Sequence, residues 1–292
     1  MTGPRITSWT EADQAPSGYR LAWLAADSDD SPCAASVLRV FTDPSREHLA
    51  ELDVRVHPAN RRTGIGSALL DRALSRGREL GRRTVIAEAR DQTPGASFLA
   101  ARGFRPALTL LYARLALDSV DLPEIRALVE RPHDGYGLRA WTGAVPAELE
   151  ESFAHARRAM DDMPTGDMDF GHVSWDVERV RAAAKAVAER GDVLHTVAAM
   201  VDGSIAGFTE VVVPGSGEGD AQNYGTGVLP EHRGHGLGRW MKAASILRVR
   251  DRHPRLAGML TDVAEQNTPM LAIVEALGYR QTHVERKYRL DL

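Results

Sequence analysis

Apolar positions along the chain recur with two periods, and the change from one to the other marks out the elements. Leu237, Trp240, Met241, Ala244 and Leu247 stand at i, i+3, i+4, i+7 and i+10, one face of a helix that begins just after Gly236. Strand-like runs precede the glycines, Leu52–Val56 in the first half and Tyr224–Val228 in the second. Two further strands, His195–Val201 and Ile205–Val213, are joined by the turn Asp202-Gly203. Ahead of them the pattern predicts a strand at Gly137–Trp141, a helix from about Pro146 to Met160, an acidic loop, and a helix from about Trp175 to Arg190. The first half differs. A strand near Arg5–Trp9 is followed almost at once by another near Tyr19–Ala25, which leaves no room for two helices between them.

The chain repeats itself. VHPANRRTGIGSALL (Val56–Leu70) aligns without a gap on VLPEHRGHGLGRWMK (Val228–Lys242), placing Pro58 with Pro230, Arg61 with Arg233, Gly64 with Gly236 and Gly66 with Gly238. Each copy is preceded by a strand and followed by a helical pattern. The two halves also end alike, in Phe98–Leu117 and Ile273–Leu292, each reading as a short helix, a Gly-aromatic break and a closing strand. These features predict two tandem α/β domains, each a twisted mixed sheet flanked by helices: residues 1–118, a linker over 119–136 that is partly helical, and residues 137–292.

Arg-x-x-Gly-x-Gly at a helix start exposes backbone N–H groups with no helical partner. Glycine admits close approach to the backbone, and the helix dipole adds positive potential there. The combination suits a pyrophosphate. Neither copy is a P-loop, because Ser67 and Arg239 follow the last glycine where Lys-Ser/Thr is needed. Neither supplies the third glycine of a dinucleotide fingerprint.

With V-x-P-x-x-R-x-x-G-x-G and the downstream Asn267-x-x-Met270-x-x-Ile273-x-x-x-Leu277-Gly278-Tyr279, the sequence resembles the GNAT superfamily of N-acetyltransferases in a two-copy form covering nearly the whole chain. The resemblance implies acetyl-CoA as co-substrate. It implies that the amides of Gly234, His235, Gly236, Leu237 and Gly238 hold the coenzyme A pyrophosphate, with Arg233 beside it. The strand around Thr226–Val228 would splay from its neighbour and bond the pantetheine arm, as would Asn267. In the first half the equivalents are Val54–Val56, Arg61, Arg62, Thr63, Gly64, Ile65 and Gly66, with Gln92 in the place of the asparagine. One departure stands out. The tyrosine that many members carry directly after the Ile273 position is Val274 here and Leu99 in the first half. Tyr279, Tyr288, Tyr224 or a water are the substitutes the sequence offers as general acid.

An attacking amine must arrive neutral, so a base assists it. Glu210, a carboxylate within the run Gly207–Val212, is the candidate base; the alternation is equally that of a solvent-facing strand residue, and His195 and Asp262 are the alternatives. Asp161, Asp162, Asp167 and Asp169 crowd the loop between the two helices of the second half, the region that forms one wall of the acceptor pocket in the family. Together they would attract a cationic acceptor; singly they read as solvated capping residues. Trp175 and Phe170 would line the same pocket or fill core. The first half lacks this wall and is expected to be a partner domain, with or without bound acetyl-CoA. The function expected is acetyl transfer to a primary amine of a small, cationic molecule by direct attack in a ternary complex. The alternatives are a non-catalytic acyl-CoA sensor and a peptide N-acetyltransferase.

Composition narrows the setting. The 292 residues are 43% hydrophobic and 26% charged, ordinary for two globular cores, and the formal charge of −4 gives nucleic acid no basic face. Cys33 is the lone cysteine, so no intrachain disulfide and no four-cysteine zinc site can form, and no metal is expected. The opening residues lack a leader pattern and no apolar run approaches a membrane span, so a cytoplasmic location is expected.

Overall fold

In a computed structural model the described residues are 5–10, 18–27, 30–171 and 174–292; residues 1–4 and 11–14, read above for a leader, lie outside them. The elements in order are β1 (Arg5–Thr10), β2 (Gly18–Ala26), β3 (Pro32–Phe41), β4 (Leu49–Val56), α1 (Ile65–Glu79), β5 (Thr84–Arg90), α2 (Pro94–Ala101) and β6 (Arg105–Ala116). There follow α3 (Leu122–Glu130), β7 (Gly137–Thr142), α4 (Glu150–Ala156), α5 (Val177–Glu189), β8 (Val193–Val201), β9 (Ser204–Val213) and β10 (Gly219–Val228). The chain closes with α6 (Leu237–Arg252), β11 (Leu256–Ala264), α7 (Thr268–Ala276) and β12 (Arg280–Asp291).

The chain divides into two compact units, and neither is a contiguous half. The first comprises Met1–Thr109, Thr165–Val173 and Val284–Leu292; the second comprises Leu110–Pro164 and Ser174–His283. This differs from the boundaries expected from the repeat, and the closing strands are the reason. In the first unit the sheet order is β1-β2-β3-β4-β5-β12, with β12 antiparallel to β5 from Glu285↔Arg90 to Asp291↔Thr84. In the second it is β7-β8-β9-β10-β11-β6, with β6 antiparallel to β11 from Gly258↔Ala116 to Ala264↔Leu110. Each half therefore lends its last strand to the other half's sheet. Tyr288, near the end of the chain, is buried among Leu38, Leu69, Val85 and Phe104 in the first core. Ala113 and Leu115 are buried among Val211, Ile246 and Met259 in the second. The expected linker is also structured: α3 buries Ile125 in the second core.

Both sheets are mixed, with one parallel contact each, β4 with β5 and β10 with β11. The helices on them differ as the sequence spacing indicated. In the second unit every residue of β9 from Ile205 to Val213 is buried. Val211 and Val213 pack with Ala243 and Ile246 of α6, while Phe208 packs with Phe153 of α4 and Val212 with Ala184 and Val187 of α5. Alternation sends successive side chains to opposite faces, so a strand covered on both reads as a continuous apolar run. In the first unit α1 covers one face; on the other, β2 presents Arg20 and Leu24, the latter 47% exposed. At the β8–β9 turn, Asp202 and Gly203 both take positive φ, 46° and 79°, the geometry of a tight hairpin.

The exchange makes a prediction. Tyr288→Ala should destabilise the protein by about 3 kcal/mol through the cavity it leaves. Amide exchange should accelerate in β2–β5, more than two hundred residues away along the chain from some of those strands, and leave β8–β11 protected; equal acceleration in both units would contradict the assignment of β12 to the first core.

Candidate functional site

The second glycine loop is built as the sequence leads one to expect. A 3-10 turn over Pro230–His232 leads from β10 to α6. Gly234 and Gly236 take φ of 83° and 75°, a left-handed conformation that disfavours a Cβ, and Gly236 occupies the N-cap of α6 with no side-chain cap. The first amides of the helix are left without a side-chain partner there. Nothing stands within 4 Å of a Cβ added at Gly234, so the loop is open on that side. Leu237 is buried beneath the helix start. Gly238 serves packing: a Cβ there would lie 3.3 Å from Ile273 of α7. The first unit repeats the geometry. Gly64 is a left-handed N-cap at φ 88°, Arg62 has φ 66°, the Thr63 hydroxyl donates to Asn60 O, and Gly66 lies against Val56 and the Phe98 ring. Arg61 Nε donates to Val56 O just as Arg233 Nε donates to Val228 O, at 3.2 and 3.0 Å.

In front of each loop the parallel strands part. β10 pairs with β11 only from Gly219↔Leu256 to Gln222↔Leu260, although β10 continues to Val228. β4 pairs with β5 only from Leu49↔Thr84 to Leu52↔Ala87, although β4 continues to Val56. Past the parting, the backbone of Asn223–Val228, and that of Asp53–Val56, has no ladder partner on that side. An unpaired backbone edge of this kind takes an extended, amide-bearing ligand by strand-like hydrogen bonds. Thr226 turns its side chain to Thr209, 2.7 Å between the hydroxyl oxygens, and Val228 packs near Leu237 and Met241, so what both offer a ligand is backbone. Val54 and Val56 likewise pack on the first core. Asn267 is the N-cap of α7, its Oδ1 accepting from Met270 N at 3.3 Å. In the first unit Thr93 takes over the capping of α2, and Gln92 sits beside it with φ 56°.

Glu210 does not face solvent. It is 3% exposed and lies across from Gly225, the first β10 residue after a bulge at Asn223–Gly225. Arg157, from the 3-10 turn after α4, donates to its Oε2 at 2.5 Å. The guanidinium is held against the rings of Trp175, Phe153 and Phe208, at 4.3, 5.1 and 4.8 Å from their centroids. Glu210 Oε1 makes no hydrogen bond to any described residue. Burial raises the Glu210 carboxyl above the ordinary carboxylate range, against the opposing pull of Arg157. Gly225 and Gly227 let the Arg157–Met160 turn lie on β10: a Cβ at Gly227 would meet Ala159 at 2.9 Å.

The acidic stretch is not one cluster. Asp161 and Asp162 belong to the second unit, whereas Asp167 and Asp169 belong to the first. Asp162 takes both arms of Arg233, at 2.6 and 2.8 Å, which holds its carboxyl below the usual range. Asp167 is tied through its N–H to Ala107 O, and Asp169 lies 3.2 Å from His48 Nε2. Phe170 goes with the first unit, and Trp175 forms part of the Arg157 box rather than standing free. Among the other candidates, Val274 and Leu99 are buried core residues, and Tyr224 is half exposed with its hydroxyl bonded to Arg190. His57 caps the short turn over Pro58–Asn60. His195 points to the face of β8 opposite Glu210's, since it pairs with Val211 while Glu210 pairs with Thr196. Its Nε2 lies 2.7 Å from His253 Nε2 at the far end of α6.

Two features escaped the sequence reading. The segment expected to be a linker lies on the α6 start: His133 stacks on Trp240 at 4.0 Å, and Tyr136 bonds His232 at 3.1 Å and packs against His235. The Trp240 indole N–H donates to Val129 O. Arg157 carried no motif at all. Among the described residues no group of three or more His, Cys, Asp and Glu is placed to hold a metal ion, and no helix is long and apolar enough to cross a membrane.

Comparison with known proteins agrees with this architecture. The model of the acetyltransferase (GNAT) family matches residues 3–104 and again 159–279, and the chain belongs to that family as a tandem acetyltransferase. It is 32% identical over 238 residues to a mycothiol acetyltransferase of Thermomonospora curvata, covering 81% of this chain and 72% of the relative. A mycothiol acetyltransferase of Clavibacter sepedonicus is 29% identical over 274 residues, 91% of this chain and 79% of the relative. Among solved structures, a tandem GNAT protein from the clavulanic acid biosynthesis pathway superposes with a TM-score of 0.78 at 26% identity, covering 95% of this chain and 85% of that one. A GCN5-related N-acetyltransferase from Sphaerobacter thermophilus shares the fold, with a TM-score of 0.70 at 17% identity over 92% of this chain and 80% of that one. Members of the family use acetyl-CoA as co-substrate.

His195 supplies a pH test of the second core. Burial, the neighbouring His253 and the charges of Arg248 and Arg252 push its imidazole down to about 4. A group depressed below its unfolded value near 6.5 contributes stability that is complete above that value and is lost as pH falls toward 4. Thermal melts should show Tm dropping from about pH 6.5 to 4, and His195→Leu should flatten that slope; an unchanged slope would mean that other groups carry the acid sensitivity.

Proposed function

We propose that the second unit transfers an acetyl group from acetyl-CoA to a primary amine of a small molecule. The observation that carries this reading is the register of Glu210: it stands directly across from the β10 bulge, beside the point where β10 leaves β11. The carboxylate is thus next to the backbone edge that suits the pantetheine arm, and downstream of that edge lies the α6 start, without a side-chain cap and open at Gly234. Acetyl-CoA would supply an activated acyl thioester there, and direct attack by the amine needs no covalent enzyme intermediate.

The chain's own residues then divide the work. Gly234, His235, Gly236, Leu237 and Gly238 present N–H groups to the pyrophosphate, with the α6 dipole behind them. Thr226, Val228 and Asn267 border the arm. Arg157 holds Glu210 Oε2, and Oε1 receives the proton of the incoming ammonium. The raised carboxyl is better matched to that proton than an ordinary glutamate. Asp161 and Asp162 give the mouth a negative character that favours a cationic acceptor, although Asp162 already offsets Arg233. Similarity to proteins named mycothiol acetyltransferase supports a small-molecule acceptor over a peptide. The first unit keeps the loop and the parting, with Val54, Val56, Arg61, Thr63, Gly64 and Gly66 in the matching places, and would take acetyl-CoA without an acceptor wall.

Native mass spectrometry with acetyl-CoA, followed by an amine panel, tests the reading. The intact chain should bind acetyl-CoA and turn over at least one amine. Glu210→Gln should bind acetyl-CoA within about threefold of the wild type yet lower kcat/KM by about 10²-fold. Activity should rise with pH as the Glu210 carboxyl deprotonates, with a midpoint above the ordinary carboxylate range, and the Gln variant should lose that limb. Turnover and pH profile unchanged in the variant would remove Glu210 as the base; binding without turnover of any amine would favour a sensor.

A further inference from the structure

At the apex of the β10–β11 parting lies a polar cluster, half-buried Asn223 with buried Lys242 and Tyr279, that the mechanism above does not use. Gln222 is the last β10 residue paired with β11. The next residue, Asn223, continues the connection with its side chain: Nδ2 donates to Leu260 O at 2.8 Å. The same nitrogen donates to the Tyr279 hydroxyl at 3.2 Å. Oδ1 accepts from Lys242 Nζ at 2.9 Å. The orientation of the amide is forced, because an ammonium only donates and a carbonyl only accepts. Both amide protons are used, so the side chain is fixed from three sides. A ligand arm entering between the strands meets this amide where the parting ends.

The cluster is not what the scaffold requires. Lys242 is 3% exposed, on the buried side of α6, and its one hydrogen bond is to Asn223. Burial pushes its ammonium down to about 8, against the attraction of Asp262. Its other close partner is the face of the Tyr279 ring, 5.6 Å from Nζ to the centroid; a buried ammonium with a single hydrogen bond is costly, and an apolar side chain of similar volume is often the more stable choice. The first unit makes that choice. The loop alignment sets Leu70 where Lys242 stands, and the Gly-aromatic alignment sets Phe104 where Tyr279 stands, both fully inside the first core. There β4 keeps an unbroken register with β3, without a bulge.

We propose that Lys242 and Tyr279 are positioning residues that hold the Asn223 amide as a stop at the end of the parting, against which the acyl group of a short-chain acyl-CoA rests. This rests on the reading that acyl-CoA lies in the second unit's parting. The stop limits chain length: an acetyl group fits in front of Asn223, and each added methylene must displace an amide anchored by three bonds. One methylene too many in a closed pocket is discriminated by about 10-fold or more. Lys242 acts through Asn223. Without its donation the amide keeps the Leu260 and Tyr279 contacts but loses the one that holds Oδ1 back.

The test is a chain-length series, acetyl-, propionyl- and butyryl-CoA, titrated by calorimetry into the full chain. A Gly64→Val background disables the first loop, since a β-branched residue is strained at φ 88°. The parent should favour acetyl- over butyryl-CoA by about tenfold or more. Asn223→Ala should bring that ratio below about threefold while acetyl-CoA itself binds within about threefold of the parent. Lys242→Met should lower the ratio in the same direction with Tm unchanged or raised, a shift that a purely structural role would not produce. A parent without chain-length preference, or a Lys242→Met chain that melts normally and keeps the full ratio, overturns the stop and leaves the acetyl-transfer reading standing. No uptake of acetyl-CoA by the parent or the wild type overturns both.

Discussion

A parallel strand pair that stops hydrogen bonding after a few residues is the constraint on which both units turn. Parallel ladders normally run the length of the shorter strand. Here they end at Gln222–Leu260 and at Leu52–Ala87, and the strands go on without each other. Backbone groups left in this way need partners, and an extended ligand with amides of its own can supply them. The glycine loop sits at the end of the same strand in each case, so the unpaired edge and the uncapped helix start come as a pair from one continuous stretch of chain. The bulge is a separate matter. The first unit parts without one, whereas in the second the bulge changes what lies opposite what: it sets Glu210 across from Gly225 and puts Asn223 at the apex. The parting is common to both units, and the bulge is particular to the second.

Much of this was legible because backbone requirements leave marks in sequence. Gly64 and Gly236 hold left-handed caps at the helix starts and Asp202-Gly203 turns a hairpin, so spacing located both features; that Gly66 and Gly238 also admit a neighbouring helix left no mark of its own. The run around Glu210 read equally as an alternating strand with one face in solvent, whereas the structure buries every residue from Ile205 to Val213; the closeness of β1 to β2 did announce that no helices lie between them. The exchange of closing strands left no such mark. β6 and β12 have the same length, and period-two patterning says which face is buried without saying which sheet receives the strand. Only the partners distinguish them: Tyr288 is buried with Leu38 and Val85, and Leu115 with Met259.

Side-chain pairing was the other illegible part. Glu210 is conspicuous as a carboxylate in an apolar strand, but its partner comes from a short turn 53 residues earlier with no motif around it. The run of aspartates suggested one electrostatic wall because sequence proximity was its only evidence. The chain passes from the second unit to the first within that run, so its members serve different cores, and Asp162 is spent on Arg233. The segment 119–136 looked like a linker for the same reason. Prolines and charges are linker composition, yet Ile125 is buried and His133 is stacked on Trp240.

Duplication supplies an internal control on where the chemistry lies. Two copies of one scaffold have the same need for apolar burial, and a buried polar group costs free energy unless it is fully partnered. Among the described residues the first unit buries only Ser36 and Thr84 of this kind, whereas the second buries Glu150, Arg157, His195, Thr196, Thr209, Glu210, Lys242, Ser245 and Thr261. Of the four that carry formal charge, Arg157, Glu210 and Lys242 lie on elements around the bulge, and the fourth, Glu150, is paired with Arg181. The matching positions of Lys242 and Tyr279 in the first unit are leucine and phenylalanine, so the fold forms without them. What the second unit retains against the tendency of its own core therefore needs an explanation outside stability, and part of it, Arg157, Glu210 and Lys242, lies beside the strand that carries the bulge, whereas Glu150 is bonded to Arg181 and His195 to His253 away from it.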